Sequence, residues 1–141
     1  KRSIASAETD TKLSFVAWME PTRYTLTIQD PTKPAGTRFL TVLQGADKGA
    51  AMVGAKHVRS LSGAVFDGAR FGSSVVYFVR TLHARFRGAT LSRPAHGTVM
   101  LVTGLPARVH IRVSVGARAV TVAPGGTSRM TDASGVLRLV F

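Results

Sequence analysis

The length, composition and charge of this 141-residue chain exclude several classes of protein. Hydrophobic residues make up 45 % of the sequence, enough for one compact core, and the lack of cysteine excludes disulfides, thiol nucleophiles and thiolate metal sites. The apolar runs are shorter than the ~18 residues of a spanning helix, so we expect no membrane partner. The formal net charge of +12 and the isoelectric point near 11.6 favour a polyanionic partner.

The first half of the chain predicts a polar extension followed by β-strands. Residues 1–10 are polar and lack the apolar stretch of a signal peptide, so we place a single β-sandwich domain at residues 11–141. Alternating apolar residues predict strands at 13–18 and 24–28. Residues 38–44 are nearly all apolar and predict a central strand covered on both faces, and the glycine-rich residues that follow predict a loop.

The second half contains more short strands separated by turn residues. The pattern predicts turns at Gly63, Asp67-Gly68 and Gly72, and a less regular, arginine-rich segment at residues 80–94. Strands are predicted at 56–61, 64–66, 73–79, 98–102, 109–115, 119–122 and 135–141. Because helical spacing is nowhere sustained, we predict an all-β fold, an antiparallel two-sheet β-sandwich of about ten short strands.

The positive charge of the second half comes from arginine alone. From Arg70 to the end there are ten arginines, no lysine and one acid, Asp132, so most of these guanidinium groups have no internal counter-ion. Guanidinium groups bind carboxylate, sulfate and phosphate through paired hydrogen bonds. The alternative is a solvated basic face without a target. We predict a polyanion-binding surface formed by Arg80, Arg85, Arg87, Arg93, Arg108, Arg112 and Arg118.

Residues with catalytic or metal-binding chemistry are sparse. The four histidines, at 57, 83, 96 and 110, lack the spacing of metal ligands, and the seven acids are scattered. There is no Gly-x-Ser-x-Gly motif, and the aromatic residues Trp18, Tyr24 and Tyr77 lie in apolar runs typical of a core. We therefore predict no catalytic residue, no metal site and no cofactor in this chain.

Several segments of the chain form an ordered series of strand and turn motifs. They are Arg-Phe-Leu-Thr-Val-Leu-Gln-Gly-Ala-Asp-Lys-Gly at 38–49, Ser-Gly-Ala-Val-Phe-Asp-Gly at 62–68 with Val-Val-Tyr-Phe at 75–78, Thr-Gly-Leu-Pro at 103–106, the strands at 109–115 and 120–122, Gly-Gly at 125–126, and Ser-Gly-Val-Leu at 134–137. Together these segments resemble the C-terminal β-sandwich module of heparinase II/III-like polysaccharide lyases. The resemblance covers roughly residues 22–141 and is moderately specific because the segments keep their order and spacing.

This resemblance implies an accessory role. In such lyases the catalytic and zinc-binding residues lie upstream of this module, so it transfers no catalytic or metal residue to this chain. It implies a non-catalytic β-sandwich of a longer, exported bacterial enzyme, periplasmic or extracellular, that contacts acidic, uronate-containing polysaccharide. Two alternatives remain: a stand-alone polyanion- or nucleic-acid-binding protein, and a complete small enzyme.

Overall fold

A computed structural model describes residues 3–8, 24–29, 32, 39–45, 47, 49–81 and 85–141. The chain divides into two compact units, residues 1–39 and 40–141. All regular structure in the described ranges is β-strand, and no helix in them is long and apolar enough to cross a membrane.

The first unit contains a pair of antiparallel strands. β1 (Ser3–Glu8) pairs with β2 (Tyr24–Gln29), with Ser3 opposite Gln29 and Glu8 opposite Tyr24. The strand predicted at 24–28 is thus confirmed, whereas residues 1–10, predicted as a polar extension, include a paired strand. The strand predicted at 13–18 lies outside the described residues, and the domain start predicted at residue 11 stays a prediction.

In its described residues, the second unit contains two five-stranded sheets. The order in the first sheet, sheet I, is β12 (Leu137–Val140), β8 (Val99–Thr103), β6 (Ser74–Val79), β5 (Phe66–Phe71) and β3 (Ala55–Arg59). The order in the second, sheet II, is β11 (Arg129–Met130), β9 (His110–Val115), β10 (Ala119–Pro124), β7 (Ala89–Ser92) and β4 (Ser62–Gly63).

Both sheets contribute to one core, as expected for a β-sandwich. The largest fully buried side chains of sheet I are Tyr77, Phe66, Met100 and Leu137, and those of sheet II are Leu91 and Ile111, followed by Val120 and Val122. Alternate residues along the strands point inward, which is the period-two pattern that predicted them. The predicted all-β, two-sheet fold is confirmed.

Sheet I is mixed, which differs from the purely antiparallel arrangement that we predicted. β6 pairs with β8 in parallel, with Ser74 opposite Val99 and Phe78 opposite Thr103. The reason is the intervening strand: β7 lies in sheet II, so the chain leaves sheet I after β6, reverses direction, and returns to sheet I running the same way as before. Strand patterns in a sequence do not record such a change of sheet.

The predicted central strand at residues 38–44 is wrong over its described part. Residues 39–45 form no strand, and Leu43 is 85 % exposed. The side chain of Gln44 bonds instead to both backbone groups of Val53, through Nε2 to the carbonyl and Oε1 to the amide. The central positions belong to β6 and β10, whose apolar runs satisfy the same pattern. The resemblance implied a strand here, and the structure has none.

One end of the sandwich is closed by two loops, residues 104–109 and 131–136. The amide of Leu105 donates to the carbonyl of Gly135 at 3.1 Å. The buried hydroxyl of Thr131 donates to the carbonyl of Pro106 at 2.7 Å and accepts from the amide of Val109 at 3.0 Å. These bonds satisfy backbone groups where the strands end.

Candidate anion-binding site

The carboxylate of Asp67 is surrounded by three basic side chains. Its Oδ1 accepts from Nε of Arg59 at 2.8 Å and lies 3.1 Å from Nε2 of His57. Its Oδ2 lies 3.2 Å from Nε of Arg80. The strands explain this arrangement, since Asp67 on β5 is the register partner of Arg59 on β3, and Arg80 directly follows β6.

The charge on Asp67 is stabilised by these neighbours. The hydrogen bond from Arg59 lowers the pKa of the Asp67 carboxyl below its ordinary value of 3.8; partial burial opposes this, and the contacts with His57 and Arg80 lower the pKa further. The side chains of Arg59 and Arg80 are 63 % and 48 % exposed, so both guanidinium groups remain accessible to solvent. The cluster is therefore a partly neutralised group of cations at the surface.

Residues 80–81 and 85–88, between β6 and β7, belong to no strand, and residues 82–84 lie outside the described residues. We call residues 80–81 and 85–88 the arginine loop. Its ends are held together because the amide of Arg80 donates to the carbonyl of Val65 at 2.9 Å, and the amide of Ala64 donates to the carbonyl of Gly88 at 2.8 Å. Ala64 and Val65, which are consecutive in the chain, thus hydrogen-bond to the two ends of the loop, near the Asp67 cluster.

Phe86 anchors this loop to the core. Its ring packs edge-on against that of buried Phe66, with centroids 6.4 Å apart and planes at 87°. The two residues that flank Phe86, Arg85 and Arg87, are exposed, and within the described ranges neither forms an ion pair. Because the ring of Phe86 points inward, its two neighbours in the chain point outward. They add two exposed guanidinium groups at this end of the sandwich.

The seven predicted arginines do not form one continuous stripe. Arg87 precedes β7 and Arg93 follows it, so they lie at opposite ends of the sheet, on the order of 20 Å apart along an extended chain. At the far end, the amide of Arg93 donates to the carbonyl of Arg118 at 2.9 Å, and Nη1 of Arg93 donates to that of Gly116 at 3.0 Å.

The remaining two of the seven predicted arginines are Arg108 and Arg112. Arg108 precedes β9, which runs parallel to β7, so it lies at the same end as the arginine loop. Arg112 lies on the outer face of sheet II, opposite Ala123. The structure therefore places Arg80, Arg85, Arg87 and Arg108 at one end of the sandwich, Arg112 on the outer face of sheet II near that end, and Arg93 and Arg118 at the opposite end.

Three residues of the cluster, His57, Arg59 and Asp67, were not among the predicted site residues. The available signal was the spacing of His57 and Arg59, since residues two apart in a strand project from the same face. Asp67-Gly68 was predicted as a turn, but both residues lie within β5. A Cβ on Gly68 would collide with the backbone of the adjacent strand, so glycine here permits close strand packing.

Other reactive groups of the described residues are dispersed or buried. In the described ranges no three His, Asp or Glu side chains come together as candidate metal ligands. Tyr77 is 1 % exposed, and burial raises the pKa of its hydroxyl above 10.0 although hydrogen bonds with Ser92 oppose the shift. The fold and this cluster define a basic β-sandwich with an exposed arginine site. Comparison with protein-family models, with curated proteins and with solved structures found no match.

Proposed function

We propose that this domain is a non-catalytic accessory β-sandwich of a polysaccharide-lyase-like protein, and that it contacts acidic polysaccharide through the arginine-loop end. The observation that carries the proposal is the excess of guanidinium groups at this end of the sandwich, where Arg59 and Arg80 lie against the carboxylate of Asp67, and Arg85 and Arg87 are exposed in the neighbouring arginine loop. Four guanidinium groups against one carboxylate leave a net charge of +3 with His57 neutral. Such an excess on exposed side chains favours a polyanion over a single small anion.

An exposed aromatic ring next to the cluster favours a polymer that contains rings. Phe78 is 45 % exposed and is the register partner of Asp67, so both side chains lie on the outer face of sheet I. An apolar ring beside guanidinium groups suits a sugar unit with an anionic substituent. It also suits an unstacked base, which keeps single-stranded nucleic acid as the second candidate.

The experiment compares two double variants that remove the same charge from opposite places. Arg85→Ala with Arg87→Ala changes the arginine loop, whereas Arg93→Ala with Arg118→Ala changes the far end. We expect the first pair to elute from immobilised heparin, and from alginate, at clearly lower salt than the second pair. Equal shifts for both pairs would mean that net charge alone determines binding and would refute the assigned site.

Competition separates the two classes of polymer. With the wild-type protein on labelled alginate oligosaccharide, unlabelled alginate is expected to displace the probe at lower concentration than single-stranded DNA of equal charge. Both polymers lose affinity steeply with salt, so the comparison is made at one fixed ionic strength. Preferential displacement by DNA would favour the nucleic-acid candidate, and no retention of the wild-type protein on any polyanion would exclude both.

A further inference from the structure

Three neighbouring strands of sheet I place Arg59, Asp67 and Phe78 side by side on the outer face. Arg59 on β3 pairs with Asp67 on β5, which pairs with Phe78 on β6. The residues on either side of Asp67, Phe66 and Gly68, are buried, so this row points away from the core. Side chains opposite each other on adjacent strands lie within about 5.5 Å at Cβ. A cation, a carboxylate and an aromatic ring thus form one contiguous surface.

The carboxylate of Asp67 lies close to the Nε atoms of two guanidinium groups. Both Arg59 and Arg80 approach the carboxylate through Nε, one at Oδ1 and the other at Oδ2. Each guanidinium group has five N–H donors, and only one of them sits on Nε. The four donors on the Nη atoms of each arginine therefore remain for a ligand, while the carboxylate restricts the rotation of both side chains.

We propose that Arg59, Arg80 and Phe78 form a subsite for one anionic sugar unit, with Asp67 as its positioning residue. The anionic substituent binds the Nη groups of the two arginines, and the apolar face of the ring lies on Phe78. This inference rests on the proposed function and specifies that the site binds a single anionic sugar unit of the polymer. Its unusual consequence is that an acidic residue increases the affinity for an acidic ligand.

The opposite expectation follows from charge alone. Removing the carboxylate of Asp67 raises the local net charge by one and strengthens the attraction of any polyanion. Pre-organisation acts the other way, because two long side chains freed from Asp67 lose conformational entropy when the ligand binds. The sign of the change in affinity therefore distinguishes the two explanations.

The test compares Asp67→Asn with Asp47→Asn, which makes the same charge change at an exposed acid outside the cluster. Dissociation constants are measured for an alginate oligosaccharide by titration calorimetry. We expect Asp67→Asn to bind about three- to tenfold more weakly than Asp47→Asn, the effect of ordering one or two long side chains on binding. Asp67→Glu, which keeps the charge, is expected to bind more tightly than Asp67→Asn. Affinity of Asp67→Asn equal to or above that of Asp47→Asn overturns the proposal.

The role of the Phe78 ring is tested with inorganic polyphosphate, a polyanion that contains no sugar ring. Phe78→Ala is expected to weaken alginate binding by about fivefold and to leave inorganic polyphosphate binding unchanged, because only the sugar offers an apolar face. Met130→Ala removes an exposed apolar side chain from sheet II and is the control. Equal losses for alginate and polyphosphate would contradict the role of Phe78 as a platform.

A measurement on the wild-type protein keeps the proposal testable if Asp67→Asn fails to fold. In ¹⁵N NMR spectra, titration with alginate oligosaccharide is expected to shift the Nη signals of Arg59 and Arg80 and to leave the Nε signal of Arg59 near its free position, since Asp67 retains this hydrogen bond. Large Nε shifts would show that the ligand displaces Asp67 and would refute its positioning role. If wild-type protein shows no binding at all, the proposed function fails instead.

Discussion

Replacing Phe86 tests whether the arginine loop depends on its aromatic anchor. The ring is partly buried and packs edge-on against Phe66. Full burial of a phenylalanine is worth about 1.5 to 3 kcal/mol, so partial burial contributes about 1 kcal/mol. The edge-on pair adds about 0.5 to 1.5 kcal/mol. We therefore expect Phe86→Ala to reduce the free energy of unfolding by about 2 kcal/mol.

Phe86→Leu separates the two contributions. Leucine keeps most of the apolar contact and loses the aromatic pair, so the expected loss is about 1 kcal/mol. Urea denaturation followed by far-ultraviolet circular dichroism gives both values. Phe86→Ala should also elute from immobilised heparin at lower salt, because Arg85 and Arg87 flank the lost anchor. A variant that is destabilised as expected but elutes at the wild-type salt concentration would refute the link between the anchor and the arginines.

Three further predictions concern the folded state. Gly135→Ala combines a φ of +72° with a clash against a backbone carbonyl and should reduce the free energy of unfolding by about 3 kcal/mol or more. Gly125→Ala has a φ of +84° but lies in open space and should reduce it by about 1 kcal/mol. Equal losses of stability in urea denaturation would contradict this. Thr131→Val removes a buried hydroxyl that bonds two partly buried backbone groups and should cost about 1 kcal/mol, against less than about 0.5 kcal/mol for exposed Thr121→Val. The lowered pKa of Asp67 gives stability that is present above pH 3.8 and lost as pH falls through the folded-state pKa, so denaturation curves of wild type and Asp67→Asn should converge in acid; a constant difference would contradict the ion pairs.

Regular alternation in the sequence predicted most of the strands in the second unit correctly. The segment ending at Val115 and the return at 119–122 form β9 and β10, with the turn at Gly116 closed by its amide donating to the carbonyl of Ala119 at 2.8 Å. Tyr77 was predicted to be a core residue and is buried. Such segments succeed because half of their residues face the core and half face solvent, which produces a period of two.

The failures share a physical cause, which is competition between segments for positions in the sheets. Residues 38–44 and the β6 segment are both apolar runs, but a sheet has few central positions, and only pairing partners determine which run takes one. The parallel pairing of β6 with β8 likewise depends on the strand between them crossing to the other sheet. Neither fact is encoded in a local pattern.

The candidate site was only partly predictable for a related reason. Composition indicated an excess of arginine after Arg70, and Arg80, Arg85 and Arg87 were three of the seven arginines predicted to bind a polyanion. The cluster needs Arg59 and Asp67 as well, which are brought to Arg80 by the register of β3 on β5 and of β5 on β6. Long-range register decides which residues meet, and a basic composition alone cannot supply it.

Inward and outward residues alternate along each strand of this domain. Substitutions that change the surface charge can therefore be separated from substitutions that change the stability. The inward residues of β5 and β6, such as Phe66 and Tyr77, build the core, whereas the outward residues Asp67 and Phe78 belong to the candidate site. Arginine substitutions at exposed positions remove no core contact, so they should alter ligand binding with changes in stability within about 0.5 kcal/mol. Phe86 is the exception because it belongs to both systems. A loss of binding in the loop variants without a loss of stability would therefore locate the effect in the arginines, whereas a loss of both points to the anchor.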